Sequence, residues 1–182
     1  MKERILDVAA QLIQMHGLKK FTVDEIAATL KISKKTIYQY YSGKDDIIHA
    51  YFETVTHSDR AGIEQALASG SALSEKLHAI VHSSHRYTLP VSLLNEAKLF
   101  FPEEWQSVED LKQFKLDAME SILKQASGEG ILKPEVHFPV LCRMMQEISN
   151  MFTDSDFLVE NKLKASEAMD RAVDILLNGI LK

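Results

Sequence analysis

Along the first 50 residues, apolar side chains recur at helical spacing and are interrupted at short intervals. Ile5, Val8, Ala9, Leu12 and Ile13 share one face, with Glu3, Arg4, Asp7 and Gln11 between them, and Gly17 stands where a C-terminal stop is expected. Thr22 followed three positions later by Glu25 has the form of a capping box, in which hydroxyl and carboxylate each satisfy a free amide at a helix start. Val23, Ile26, Ala27 and Leu30 give that short second helix its apolar side. Lys31-Ile32-Ser33 interrupts the pattern, and Ser33 is suited to cap a third short helix carrying Lys34, Lys35, Thr36, Ile37, Tyr38, Gln39 and Tyr40. Ser42-Gly43 closes it. Asp45 and Asp46 then fall in the first turn of a fourth helix, where acids favour the helix dipole, and that helix runs towards Ser69-Gly70.

The chain stays helical beyond this point. Leu73, Leu77, Ile80 and Val81 form one stripe, and Phe114, Met119, Ile122 and Leu123 belong to a helix ahead of Gly128-Glu129-Gly130. Phe138, Leu141, Met145, Ile148 and Phe152, and later Met169, Ala172, Val173, Leu176, Leu177 and Ile180, repeat at mixed spacings of three and four. No segment alternates as a strand does, so the pattern predicts an all-α chain. Its expected division is into residues 1–46 and residues 47–182, joined through a continuous helix.

Composition narrows the classes. The 182 residues are 46% hydrophobic and 26% charged, the balance of a folded globular chain. Apolar runs fall far short of the roughly 20 residues of a membrane-spanning helix. The N-terminus lacks the apolar core of a secretory signal, so a cytoplasmic location is expected. The single cysteine, Cys142, excludes an internal disulfide and is assigned no chemistry. Net charge is -5, but it is unevenly spread: residues 1–50 carry 8 basic and 6 acidic side chains, and Lys31 to Lys44 contains four lysines and no acid. An anionic partner therefore belongs at the N-terminal end.

A helix-turn-helix needs a second helix anchored by the first and presenting a polar outer face to the major groove. Residues 22–44 fit: Ile37 and Tyr41 can pack inward on Ile26 and Leu30, which leaves Lys34, Lys35, Thr36, Tyr38, Gln39 and Tyr40 outside. Thr22 would set a hydroxyl and a helix N-terminus beside a phosphate. The run Phe21-Thr22-Val23-Asp24-Glu25-Ile26-Ala27, then Ser33-Lys34-Lys35-Thr36-Ile37-Tyr38-Gln39-Tyr40-Tyr41 and Lys44-Asp45-Asp46, resembles the DNA-binding domain of the TetR family over about the first quarter of the chain. Ser42-Gly43 reverses a frequent Gly-Ser order there. The resemblance implies phosphate contacts from Tyr38, Tyr40 and Lys44, base-proximal positions for Lys34, Lys35, Thr36 and Gln39, and core roles for Ile26, Ala27, Ile37 and Tyr41.

It also implies that 1–46 is a three-helix DNA-binding domain and 47–182 a helical effector-binding and dimerisation domain, with a homodimer formed through the last two helices. Leu141, Met145, Ile148, Phe152, Met169, Val173, Leu176 and Ile180 are the interface candidates, and charged residues at Met145 and Leu176 are expected to break it. The expected function is a repressor released from a near-palindromic double-stranded DNA operator by a small-molecule effector. The alternative is a DNA-bound adaptor of the same fold that acts through a protein partner. Effector-pocket candidates are His78, His82, His85, Phe100, Trp105 and Phe114, the aromatics being equally suited to a plain core. The three histidines lie at i, i+4 and i+7, a stripe able to converge on a metal, but no Asp, Glu or Cys completes it within the same helix. No metal, cofactor or catalytic residue is therefore assigned: the chain shows no nucleophile, acid–base pair or phosphate loop.

Overall fold

The structure, a computed structural model, describes residues 1–82, 87–151 and 155–181. Among the described residues ten helices follow one another: α1 (Lys2–His16), α2 (Val23–Leu30), α3 (Lys34–Tyr38), α4 (Lys44–Ala68), α5 (Leu73–Val81), α6 (Val91–Phe100), α7 (Pro102–Gly128), α8 (Phe138–Met151), α9 (Ser155–Glu160) and α10 (Ala165–Ile180). The only β pairing among the described residues is an isolated antiparallel bridge, Leu132 with Leu181. None of the described helices is long and apolar enough to cross a membrane.

The helices pack as two units. The first comprises Met1–His57 and His85–Glu109, the second Ser58–Ser84 and Asp110–Lys182. Packing thus adds the first half of α4, α6 and the start of α7 to the helices that residues 1–46 supply. The cause is the core they share. Ile5, Ile13, Leu18, Phe21, Ile26 and Ile37 are fully buried, and Ile47, Ile48, Tyr51 and Phe52 of α4 close over them. Tyr87 stacks on Tyr51 at 5.5 Å and donates a 2.7 Å hydrogen bond to Asp7 Oδ1. The Tyr51 hydroxyl in turn donates to the Thr88 carbonyl, and burial pushes its pKa up to about 12.

The second unit closes around Ile63, Leu77, Ile80, Leu111, Met119, Leu123, Leu141, Met145 and Leu177, drawn from α4, α5, α7, α8 and α10. Lys115 Nζ lies 3.1 Å from the buried carboxylate of Asp59, so the charge taken into this core comes with an opposite one. The amide of Lys133 donates to the Ile180 carbonyl at 2.7 Å and ties the chain after α7 to the end of α10.

Candidate nucleic-acid interface

The short helices α2 and α3 are poor helices by length alone, so their ends must be satisfied. At α2 the capping box forms: the amide of Glu25 donates to Thr22 Oγ1 at 3.2 Å, and the amide of Thr22 donates to Glu25 Oε2 at 2.7 Å. The same carboxylate accepts the Thr22 hydroxyl at 2.8 Å, and these bonds hold Glu25 below the usual carboxylate range. At its other end Lys31 takes the left-handed conformation (φ 55°), which lets the Ile32 amide reach the Ala27 carbonyl at 3.0 Å and turns the chain sharply. Ser33 caps α3 by accepting from the Thr36 amide at 3.2 Å.

The inner face follows the spacing. Ile26, Ala27, Ile37 and Tyr41 are buried, and burial pushes the pKa of the Tyr41 hydroxyl up to about 12. Lys34, Lys35, Tyr38, Gln39 and Tyr40 are exposed, and Tyr38 keeps 52% of its surface free. Helix α3 is shorter than the pattern suggests. It ends at Tyr38, and Gln39 and Tyr40 lie in a turn whose amides fold back on Ile37, because the chain must reverse to start α4. The Ser42 amide donates to Asp46 Oδ2 at 2.7 Å, so an acid of the first turn of α4 fixes that reversal.

The candidate contacts differ in what already holds them. Lys34 Nζ sits 2.7 Å from Asp24 Oδ1, and this hydrogen bond raises its pKa. Lys35 has no ion-pair partner among the described residues. Lys44 Nζ donates to the Lys19 carbonyl at 2.6 Å and lies 4.6 Å from the centre of the Phe21 ring; desolvation lowers its pKa. It is therefore a pin within the domain, with two of its three N–H donors left over for a phosphate. The Thr22 hydroxyl is engaged by Glu25, whose carboxylate already occupies the helix start expected for an anion. Thr36 is half-buried, with its hydroxyl 3.0 Å from that of Ser33.

One residue of this unit carries no recognisable motif. Glu96 of α6 accepts hydrogen bonds from the amides of Leu18 at 2.8 Å and Lys19 at 3.3 Å, fastening the α1–α2 loop. Gly17 beside it has φ 85°, a conformation that favours glycine, and a Cβ there would displace the Glu96 carboxylate from the loop.

The expected effector residues divide between the two units. Phe100, 51% exposed, lies under Lys19 Nζ in the first unit, where Lys98 covers Trp105 as well. Phe114 is in the second unit against Arg60. His78 and His82 bind carboxylates of α10, and His85 lies outside the described residues. The second unit instead has an apolar cavity of about 20 Å³ lined by Leu77, Met119, Leu123, Leu141, Met145, Val173, Leu176, Leu177 and Ile180. A polar recess of about 290 Å³, lined among others by Asp117, Glu120 and Arg143, lies between α7 and α8.

The dimer candidates differ in how far their own unit buries them. Leu141 and Met145 are buried in the core of their own unit, with Val173, Leu176 and Ile180 partly buried against it, because α8 presents this face to α7 and α10. Ile148 and Met169 are half-buried, and Phe152 lies outside the described residues. A second apolar stripe of α8 faces out: Val140 is 53% exposed, Met144 47%, and with Pro139 and Ile148 they line a shallow groove.

Residues 5–51 match the family model of bacterial regulatory proteins, tetR family. The chain is 26% identical over 184 residues to the uncharacterized HTH-type transcriptional regulator YvaF of Bacillus subtilis (strain 168), covering 99% of this chain and 95% of that protein. It is 21% identical over 183 residues to the fatty acid metabolism regulator protein of the same organism, covering 97% and 94%. Its fold matches the crystal structure of the TetR family transcriptional regulator PfmR from Thermus thermophilus with a TM-score of 0.68, at 23% identity, over 96% of this chain and 97% of that one.

Proposed function

We propose that the chain is a DNA-binding transcriptional regulator of the TetR family, a repressor which, as a homodimer, holds a near-palindromic operator until a small molecule releases it. The observation that carries the DNA-reading part is α3 itself: a capped helix buried through Ile37, with Lys35 and Tyr38 exposed on it and Gln39 exposed in the turn that follows. Lysines and tyrosines on such a face bind phosphates and set register, while the side chains nearest the groove floor read base edges. Selection of the full chain on randomised duplex DNA tests this. Recovery of two inverted half-sites about one helical turn or more apart is the expected result, and recovery of no common sequence would oppose it.

Dimerisation follows from the symmetry of such a site and from the outward stripe of α8, which a second copy of the same helix would cover. The face proposed is Val140, Met144 and Ile148. Val140→Glu with Met144→Glu is expected to convert the dimer to a monomer in light scattering without unfolding it, since both side chains stand outside the core. The same charges at Leu141 or Met145 would unfold the unit instead. A double variant that stays dimeric would move the interface elsewhere.

Release by an effector is supported by the packing of α6 and α4 on the DNA-reading helices, which gives a ligand elements through which to act. The relative named as a fatty acid metabolism regulator protein supports a role in regulating fatty acid metabolism. A second reading, the adaptor without a small-molecule effector, is supported by the size of the apolar cavity, about 20 Å³, room for about one water molecule. Linkage separates the two: an effector must weaken operator binding by the factor by which the operator weakens effector binding.

A further inference from the structure

Lys19 lies in the loop between α1 and α2, and each of its polar groups has a partner in the first unit. Its amide donates to Glu96 Oε2 at 3.3 Å and its carbonyl accepts from Lys44 Nζ at 2.6 Å, so α6 and the start of α4 both hold its backbone. Its ammonium lies 3.7 Å from the centre of the Phe100 ring, at the end of α6. Both side chains are at the surface, Phe100 with 51% of its area exposed. Ala97 and Phe101 of the same stretch pack into the core of the unit, and Phe100 does not. A large ring is thus kept in solvent with a cation over its face.

Resting on the reading of the chain as a DNA-binding regulator, we propose that Lys19 is a further phosphate contact, and that the Phe100 ring holds its ammonium in the free protein and releases it to DNA. Lys44 puts the phosphate within reach. A phosphate oxygen at the charge-assisted distance of about 2.7–2.9 Å from Lys44 Nζ lies no more than about 5.5 Å from the Lys19 carbonyl. The flexible four-carbon stem of Lys19 spans such a distance, so two ammonium groups close on one anion.

The exchange of partners is favourable and local. An exposed cation–π contact holds an ammonium weakly, whereas pairing with a duplex phosphate releases condensed counterions. Glu96 and Lys44 fix the backbone, so only the side-chain torsions of Lys19 need change, and fully buried Leu18 and Phe21 on either side of the lysines keep their places in the core. Phe100 acts through Lys19, as a positioning residue. Because it belongs to α6, that helix sets how readily Lys19 becomes available to DNA.

The test titrates the full chain and its variants with operator and with unrelated duplex DNA at several salt concentrations. Lys19→Ala should weaken binding to both, roughly 10-fold near 0.1 M salt, and lower the salt slope by about one. Lys19→Arg should keep the slope, which loss of a merely structural side chain would leave unaltered in any case. Phe100→Ala should tighten binding about two- to fivefold at an unchanged slope, since no ring contact is given up. Phe100→Leu, which keeps an apolar side chain there, should do the same. In the Lys19→Ala background the Phe100 effect should vanish. An unchanged slope for Lys19→Ala, or a Phe100 effect that is absent or persists without Lys19, would overturn the proposal while leaving the regulator reading intact; failure of the unchanged chain to bind any DNA would overturn that reading itself.

Discussion

Lys35→Ala is expected to weaken operator binding by about 1–3 kcal/mol, roughly 5- to 150-fold, and to relax discrimination at the base pair it faces. Lys34→Ala, one residue away, should cost less. The difference lies in the unbound protein: Lys34 must give up its 2.7 Å pairing with Asp24 before it can serve DNA, whereas Lys35 surrenders no ion pair among the described residues. Asp24→Asn should accordingly tighten binding, since it frees Lys34 and removes a negative charge from the phosphate-facing surface. Each lysine that contacts a phosphate also contributes about one counterion to the salt dependence, so its loss lowers that slope by about one. Affinities of the three variants at several salt concentrations check this. Equal losses for Lys34→Ala and Lys35→Ala, with Asp24→Asn neutral, would mean that the ion pair does not govern the lysines.

The helix-turn-helix was legible because its information is local. The Thr22–Glu25 box, the Ser33 cap and the Ile26–Ile37 spacing act within a few residues, and the structure realises each. The failures come from what periodicity omits. It groups Leu141, Met145 and Ile148 on a side of α8 but cannot say which of two apolar stripes its own unit covers. The inner one is Leu141 and Met145; the outer one, Val140 and Met144, is obscured by its neighbours Pro139 and Arg143. The aromatics Phe100, Trp105 and Phe114 suggested a cavity by type, yet cationic side chains take their faces. The histidine stripe lacked a carboxylate only within its own helix. Asp170, which pairs with His78 and His82, lies 92 positions along the chain from His78, a separation that no spacing rule spans.

Glu96 belongs to the same class of long-range partner, 78 positions from Leu18, and it yields the second large effect. Glu96→Ala is expected to destabilise the first unit by about 1–3 kcal/mol, because the amide of fully buried Leu18 loses its acceptor. The consequence extends to DNA. The Lys19 peptide that Glu96 holds also supplies the carbonyl that Lys44 Nζ binds at 2.6 Å, so loosening the loop frees the start of α4 from its position behind α3. Operator affinity should therefore fall. Charge alone predicts the opposite, since removing a carboxylate from a DNA-binding unit reduces repulsion from phosphates. Glu96→Gln separates the two effects: it keeps an acceptor oxygen for the loop while removing the charge, and should leave stability nearly intact and affinity equal or higher. Chemical denaturation and operator titration of both variants decide the matter. If Glu96→Ala binds the operator more tightly than the unchanged protein, electrostatics outweighs positioning, and α6 has no hold on the DNA-reading helices through this loop.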